Sequence, residues 1–208
     1  METAVEDQEK LMKLLVKTAK ETEFGKDHQF GKIESYEDFK ANIPIRDYEQ
    51  LKPYIEKIKS GRENVLWKGK PIYFAKTSGT TSGVKYIPIT KDSIPNHIET
   101  ARNALLCYMA QTGNTGFANG KMIFLSGSPE LERVGGVPTG RLSGIVNHHV
   151  PRYLRNNQLP SYETNCIEDW ETKLNKIVEK RLAEFGMQVL YYDWNNGEPT
   201  YKNLDNII

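Results

Sequence analysis

Apolar residues recur every three to four positions in several parts of the sequence, and this spacing predicts amphipathic helices. A Thr-x-x-Glu capping box at residues 3–6 begins the first helix, with Gly25 expected as the left-handed residue at its C-terminus. A Ser-x-x-Asp box at 35–38 begins a short helix. That helix must end near Asn42, because Pro44 disfavours helical geometry at the residue before it.

Three further helices follow from the same spacing. Asp47 caps a stretch that reaches residue 59, and Pro53 inside it is expected to begin a second short helix. Thr90 caps a long helix that ends at Gly113, and Thr164 begins the last helix. The apolar residues expected to face inward from the last helix are Trp170, Leu174, Ile177, Val178, Leu182 and Phe185.

Short runs rich in β-branched and aromatic residues predict strands at 71–75, 86–89, 121–126 and 187–192. The first two flank a loop of small residues and form a hairpin-like unit, and the third is predicted to be buried. Residues 127–160 are rich in Gly, Pro, Asn and Ser and are expected to be irregular, either as a binding surface or as a disordered segment. Strands that alternate with long helices indicate an α/β fold, here with an incomplete sheet and flanking helices.

Composition narrows the class of protein. The 208 residues suffice for one domain or one and a half, and 10% aromatic residues argue against a disordered chain. A net charge of +1 provides no field of one sign to attract nucleic acid or an anionic membrane, so neither is expected as a partner. The chain has only two cysteines, an acidic N-terminus without a signal peptide, and no membrane span, which together predict a cytoplasmic protein.

The loop between the first two predicted strands carries the clearest chemistry. Its residues in order are Thr77, Ser78, Gly79, Thr80, Thr81, Ser82, Gly83, Val84 and Lys85. Glycines let backbone N–H groups approach an anion, hydroxyl groups add rotatable donors, and one lysine adds a compact positive charge, so the loop is suited to phosphate. Its glycine spacing matches neither a Walker loop nor a dinucleotide-binding fingerprint.

Other candidate residues carry weaker signals. Arg133, Arg141 and Arg152 lie in the irregular segment, where an arginine could bind a carboxylate, but solvated surface arginines are the more frequent case. The two histidines at 148–149 point to opposite faces if they lie on a strand, and no Cys/His spacing matches a zinc site. Cys107 lies beside two leucines on the long helix and is expected to be buried and inert.

The loop and its neighbours resemble a known family. The run from Thr77 to Lys85 is similar to the phosphate-binding signature of the adenylate-forming superfamily of acyl-CoA synthetases, luciferases and peptide-synthetase adenylation domains. Ile-Pro-Ile-Arg-Asp-Tyr-Glu at 43–49 and Lys-Tyr-Ile-Pro-Ile-Thr at 85–90 resemble the auxin-responsive Gretchen Hagen family of acyl-acid amido synthetases, in a form more like a bacterial than a plant member. The likeness covers roughly residues 24–185.

The resemblance implies a fold, a reaction and a set of binding residues. Residues 1–208 would form an N-terminal part of the large adenylate-forming (acyl-CoA synthetase/luciferase-like) domain, with 187–208 outside the family pattern. ATP, with Mg²⁺, would adenylate a carboxylic acid, and an amine or amino acid would then displace AMP to give an amide. Lys85 would be catalytic, and the residues binding the ATP phosphates would be Thr77, Ser78, Gly79, Thr80, Thr81, Ser82, Gly83 and Lys85.

Two alternatives to amide formation stay open. The acyl group could pass to coenzyme A, or the chain could be a truncated, non-catalytic protein that binds nucleotide or packs against a partner. Members of the resembled family are considerably longer, and their later segments for adenine, ribose and the interdomain hinge are not found in this sequence. The residues that would bind the acyl substrate are unknown. A sheet cut short is also expected to expose apolar faces and an unpaired edge.

Overall fold

A four-stranded mixed sheet lies at the centre of the computed structural model, which describes residues 3–77, 83–116, 120, 122–184, 189–193 and 198–202. The strands are β1 (Tyr73–Lys76), β2 (Tyr86–Ile89), β3 (Met122–Ile123), β4 (Glu132–Val134), β5 (Val137–Arg141), β6 (Gln158–Leu159), β7 (Val189–Asp193) and β8 (Glu198–Lys202). The sheet order is β2-β1-β5-β4, with β1 and β5 parallel and the outer pairs antiparallel. Separately, β3 pairs with β6 and β7 with β8.

Helices cover both faces of this sheet. In chain order they are α1 (Ala4–Ala19), α2 (Glu23–Asp27), a 3-10 turn (Phe30–Lys32), α3 (Tyr36–Asn42), α4 (Tyr48–Lys59), α5 (Ile94–Thr112), α6 (Leu142–Asn147), α7 (Arg152–Arg155), α8 (Tyr162–Asn165) and α9 (Trp170–Glu184). Successive side chains of β1 point to opposite faces. Phe74 is 0% exposed and clusters with Tyr54 of α4, whereas Ala75 clusters with Ile94 of α5 and Ile145 of α6. The predicted α/β layering with flanking helices is therefore confirmed.

The capping box of α3 is confirmed in full. Ser35 Oγ accepts from the Asp38 N–H at 3.1 Å, and the Asp38 carboxylate accepts from the Ser35 N–H at 3.0 Å. The helix ends at Asn42, two residues before Pro44, as predicted.

The predicted break in the next helix is wrong. Asp47 and Gln50 form the capping box, and α4 then continues through Pro53 without interruption. Proline removes one N–H donor from a helix interior. Here Pro53 is exposed, and the buried residues Tyr54 and Ile58 that follow it hold the helix against the sheet.

The predicted starts of the other helices need correction. Thr3 precedes α1 without making a capping bond to the backbone, and its hydroxyl instead donates to Asp7 at 2.9 Å. Thr90 lies one turn before α5, where it exchanges hydrogen bonds with the N-cap residue Ser93, although Gly113 ends this helix with φ +67° as predicted. Thr164 belongs to α8, and the last helix begins only at Trp170.

The segment at 127–160 is not irregular. It contains β4, β5, α6, α7 and β6, and β5 occupies a central position in the sheet. Pro138 and Gly140 lie within β5, and both residue types normally argue against a central strand. A Cβ on Gly140 would lie 2.6 Å from a terminal methyl of Leu131, so a larger residue there would make the Leu131 side chain shift.

Several apolar residues predicted to be buried are exposed. In and after β3, Ile123 and Leu125 are 51% and 53% exposed, and Trp170 of α9 is 55% exposed. Cys107 on α5 is exposed too, because only Ile94 of this helix is buried. The side chains of residues 182 and 185 lie outside the described ones. The predicted burial of these residues is therefore wrong.

Gly25 was expected to end the first helix. It lies instead inside the second helix, α2. A Cβ on Gly25 would lie 2.1 Å from the Ala19 carbonyl oxygen, so glycine allows α2 to approach the end of α1. We expect Gly25→Ala to lower the free energy of unfolding by about 1–3 kcal/mol, measured by urea denaturation. Gly31→Ala is the matched control, because nothing lies within 4 Å of its Cβ position. Equal stability of the two variants would contradict the assigned close contact.

The Asp38 carboxylate predicts a pH dependence of stability. Its hydrogen bonds from the Ser35 hydroxyl and from the Glu34 and Ser35 backbone lower its pKa in the folded chain. A group with a depressed pKa stabilises the fold above its unfolded pKa of about 4, and this contribution is lost as pH falls through the folded value. In urea unfolding from pH 7 to pH 3, the stability difference between wild type and Asp38→Asn should therefore shrink below about pH 4. A difference independent of pH would contradict this assignment.

Candidate functional site

Two hydrogen bonds between Thr77 and Lys85 close the predicted phosphate loop at its base. The Thr77 N–H donates to the Lys85 carbonyl oxygen at 3.1 Å, and the Lys85 N–H donates to Thr77 Oγ1 at 3.4 Å. Gly83 adopts φ +80°, a conformation that favours glycine. The structure thus brings Thr77, Gly83 and Lys85 together at the base of the loop. The other predicted phosphate-binding residues, Ser78, Gly79, Thr80, Thr81 and Ser82, lie outside the described residues.

The loop begins where two parallel strands end. β1 and β5 pair in register, with Lys76 opposite Arg141 at their last positions. Ligands of open α/β sheets bind at the carboxyl ends of the parallel strands. Thr77 follows β1 directly, so the loop lies at the edge of the sheet where a ligand is expected.

Two lysines at this edge have different surroundings. Lys76 pairs with Glu132 at 3.0 Å. Lys85 is half-buried, and among the described residues it has no carboxylate within salt-bridge distance. Its ammonium group lies 5.5 Å from the centre of the Tyr48 ring. Lys85 is therefore available to neutralise an anionic ligand at the loop.

Tyr48 is a residue of this site that the sequence did not indicate. Its hydroxyl oxygen accepts from the Tyr86 N–H at 2.8 Å, directly after Lys85. Tyr48 and Tyr86 are 38 residues apart in the chain, and no spacing rule connects them. The Asp47 capping box predicted the helix, and this cap fixes Tyr48 as its first residue.

The other candidate groups form no second site. Arg133 donates to the Gly136 carbonyl oxygen at 2.8 Å, and Arg141 and Arg152 are exposed. His148 Nε2 lies 2.6 Å from the Pro129 carbonyl oxygen. Burial, followed by the nearby His148, lowers the pKa of His149, whose ring packs edge-on against Tyr73. Across the part of the chain that the structure describes, no three His, Cys, Asp or Glu residues are grouped to hold a metal ion.

The fold matches the N-terminal part of solved acyl acid amido synthetase structures. The solved structure of the GH3.15 acyl acid amido synthetase shares the fold with a TM-score of 0.69 and 19% sequence identity, over 88% of this chain and 32% of that one. The same enzyme solved in complex with 2,4-DB gives a TM-score of 0.66, also at 19% identity. This match covers 86% of this chain and 31% of that one.

The chain belongs to the GH3 family, because residues 1–184 match the GH3 family N-terminal domain. It is 41% identical over 58 residues to a probable indole-3-acetic acid-amido synthetase, GH3.13, of Oryza sativa subsp. japonica, a match covering 27% of this chain and 12% of that protein. It is 30% identical over 113 residues to the jasmonoyl–L-amino acid synthetase JAR4 of Nicotiana attenuata. That match covers 53% of this chain and 19% of that protein. The matches thus span less than a fifth of these curated relatives. Both are plant proteins, and the resemblance to a bacterial member stays a prediction.

Two further observations concern the extent of the family match and the hydropathy of the helices. The family match ends at residue 184, and β7 and β8 follow it in the chain. A helix with the length and hydropathy for crossing a membrane is not found among the described residues.

Proposed function

We propose that the protein takes part in the ATP-dependent adenylation of a carboxylic acid, followed by amide formation with an amine or amino acid. In the first step the carboxylate attacks the α-phosphorus of ATP and pyrophosphate leaves. In the second the amine nitrogen attacks the acyl carbon, AMP leaves and the nitrogen loses a proton. The observation that supports this function best is Lys85, a half-buried cation without an acidic partner among the described residues, at the base of a phosphate-type loop.

The loop would bind the ATP phosphates. The proposed donors are the hydroxyl groups of Thr77, Ser78, Thr80, Thr81 and Ser82 and the backbone amides of Gly79 and Gly83. Lys85 would stabilise the negative charge that develops on the β- and γ-phosphates as pyrophosphate leaves. Lys85 lies opposite Thr77, beside the carboxyl end of β1, and ligands of open α/β sheets bind at such ends, which supports this role.

Mg²⁺ would bind mainly through the nucleotide. The described residues offer no carboxylate or histidine cluster for a resident ion. A loop of hydroxyl groups fits a Mg²⁺ that retains several waters and is held by phosphate oxygens, which is the usual arrangement for this ion. The loop residues would then orient the phosphates, and the ion would supply further positive charge.

The substrates would be small molecules. The matched relatives are named for indole-3-acetic acid and for jasmonoyl conjugation to L-amino acids, so a carboxylic acid and an amino acid are the proposed substrate classes. The near-neutral composition supports neither nucleic acid nor a membrane as a partner. A cytoplasmic location is proposed because the low cysteine content fits a reducing compartment. The acyl-binding residues are not assigned.

Lys85→Ala tests the proposal directly. Losing a charge-assisted contact to phosphate should weaken ATP binding at least about tenfold, measured by isothermal titration calorimetry with MgATP. Acid-dependent exchange of pyrophosphate into ATP should fall in parallel. Lys20→Ala is the control, because Lys20 is exposed at the end of α1. Unchanged ATP binding in Lys85→Ala would contradict the phosphate-binding assignment, and ATP binding without exchange across a broad panel of acids would contradict the enzymatic one.

Gly83→Ala tests whether the loop conformation matters for the nucleotide. Gly83 and Gly69 both have positive φ, +80° and +73°, with open space at the Cβ position. Alanine at either position should therefore destabilise the chain by a similar amount, about 1–2 kcal/mol. Only Gly83→Ala should also weaken MgATP binding in the same calorimetric assay. Equal ATP affinities of the two variants would show that the loop backbone does not bind the nucleotide.

A further inference from the structure

The base of the phosphate loop lies on an edge strand. In the described sheet β2 pairs only with β1. The Lys85 carbonyl oxygen faces β1, where it accepts from Thr77. Because successive residues of an antiparallel strand present their backbone groups to opposite sides, the N–H and C=O of Tyr86 point away from β1.

The Tyr48 hydroxyl takes the place of a missing strand at this edge. It accepts from the Tyr86 N–H at 2.8 Å and donates to the Tyr86 carbonyl oxygen at 3.5 Å. Tyr48 is the first residue of α4 and follows the N-cap Asp47. α4 packs on the sheet through Tyr54 and Ile58, so this tyrosine is supported from behind.

The Tyr48 ring contacts the side chain of the neighbouring residue. The Lys85 ammonium lies over the ring at 5.5 Å from its centre, within the distance of a cation–π interaction. One side chain thus holds both the backbone directly after Lys85 and the Lys85 charge. Among the described residues, no carboxylate competes for that charge.

We propose that Tyr48 is a positioning residue for phosphate binding: its hydroxyl fixes the end of the loop, and its ring holds Lys85 towards the ATP phosphates. This inference rests on the proposed function of Lys85. In this role Tyr48 acts through Lys85 and does not itself contact the nucleotide. It acts by reducing the freedom that the Lys85 side chain loses when ATP binds.

Two substitutions separate the contributions of ring and hydroxyl. Tyr48→Phe keeps the ring and removes the hydroxyl, and Tyr48→Leu removes both. We expect MgATP affinity to fall about threefold in Tyr48→Phe and about tenfold in Tyr48→Leu. Affinity for AMP, which lacks the β- and γ-phosphates, should change by less than about twofold in both. Tyr36→Phe and Tyr36→Leu are matched controls, because Tyr36 is also the first helical residue after the N-cap of a capping box and is 60% exposed.

A spectroscopic measurement reports the ring contact independently of ATP. In the full chain with ¹³C-labelled lysine, the Lys85 ε-methylene signal, assigned with Lys85→Arg, should be shifted upfield by the Tyr48 ring. The shift should persist in Tyr48→Phe and both Tyr36 variants and disappear in Tyr48→Leu. A Lys85 signal unchanged in Tyr48→Leu would overturn the inference, even if that variant were destabilised.

The outcomes also separate this inference from the proposed function. Weak ATP binding in Lys85→Ala with wild-type binding in Tyr48→Leu would overturn the role of Tyr48 and leave the role of Lys85 intact. Wild-type ATP binding in Lys85→Ala would overturn the proposed function and the inference with it. Equal losses for ATP and AMP in Tyr48→Leu would indicate general destabilisation and would likewise overturn the positioning role.

Discussion

The pairing of β1 on both of its sides is the constraint on which the rest of the structure depends. β2 bonds to one side in antiparallel register and β5 to the other in parallel register, so β1 is fixed over its four residues. The alternation of Phe74 and Ala75 then directs one side chain to each face of the sheet. Burying Phe74 completely contributes about 1.5–3 kcal/mol and joins β1 to α4. The loop after Lys76 therefore starts from a rigid position.

Local signals explain the parts of the fold that the sequence predicted. The Ser35–Asp38 capping box and the glycine at the end of α5 are short-range devices, and both are present as expected. The hairpin around the loop was equally readable, because β-prone runs flank a stretch of small residues. The central strand β5 was missed because Pro138 and Gly140 weaken its local signal, while its place depends on pairing with β1, which lies more than sixty residues away.

The candidate site also contains residues that the sequence predicted and a residue that it did not. Residue types alone indicated the loop, and the structure places Thr77, Gly83 and Lys85 together at its base. The contacts of residues 78–82 stay predictions. Tyr48 could not be predicted, because its role arises from the packing of α4 against β2 and has no signature in the spacing of residues. Burial was the least predictable property, since exposed Trp170 lies on a helix with a regular apolar pattern.

Exposed sheet edges allow protein chains to associate by adding strands to one another. At the loop end of β2, the phenol of Tyr48 already occupies both backbone groups that such a strand would need. A second strand pairing there would first have to displace the Tyr48 hydroxyl. The contact that organises the base of the loop thus also competes with strand addition at Tyr86.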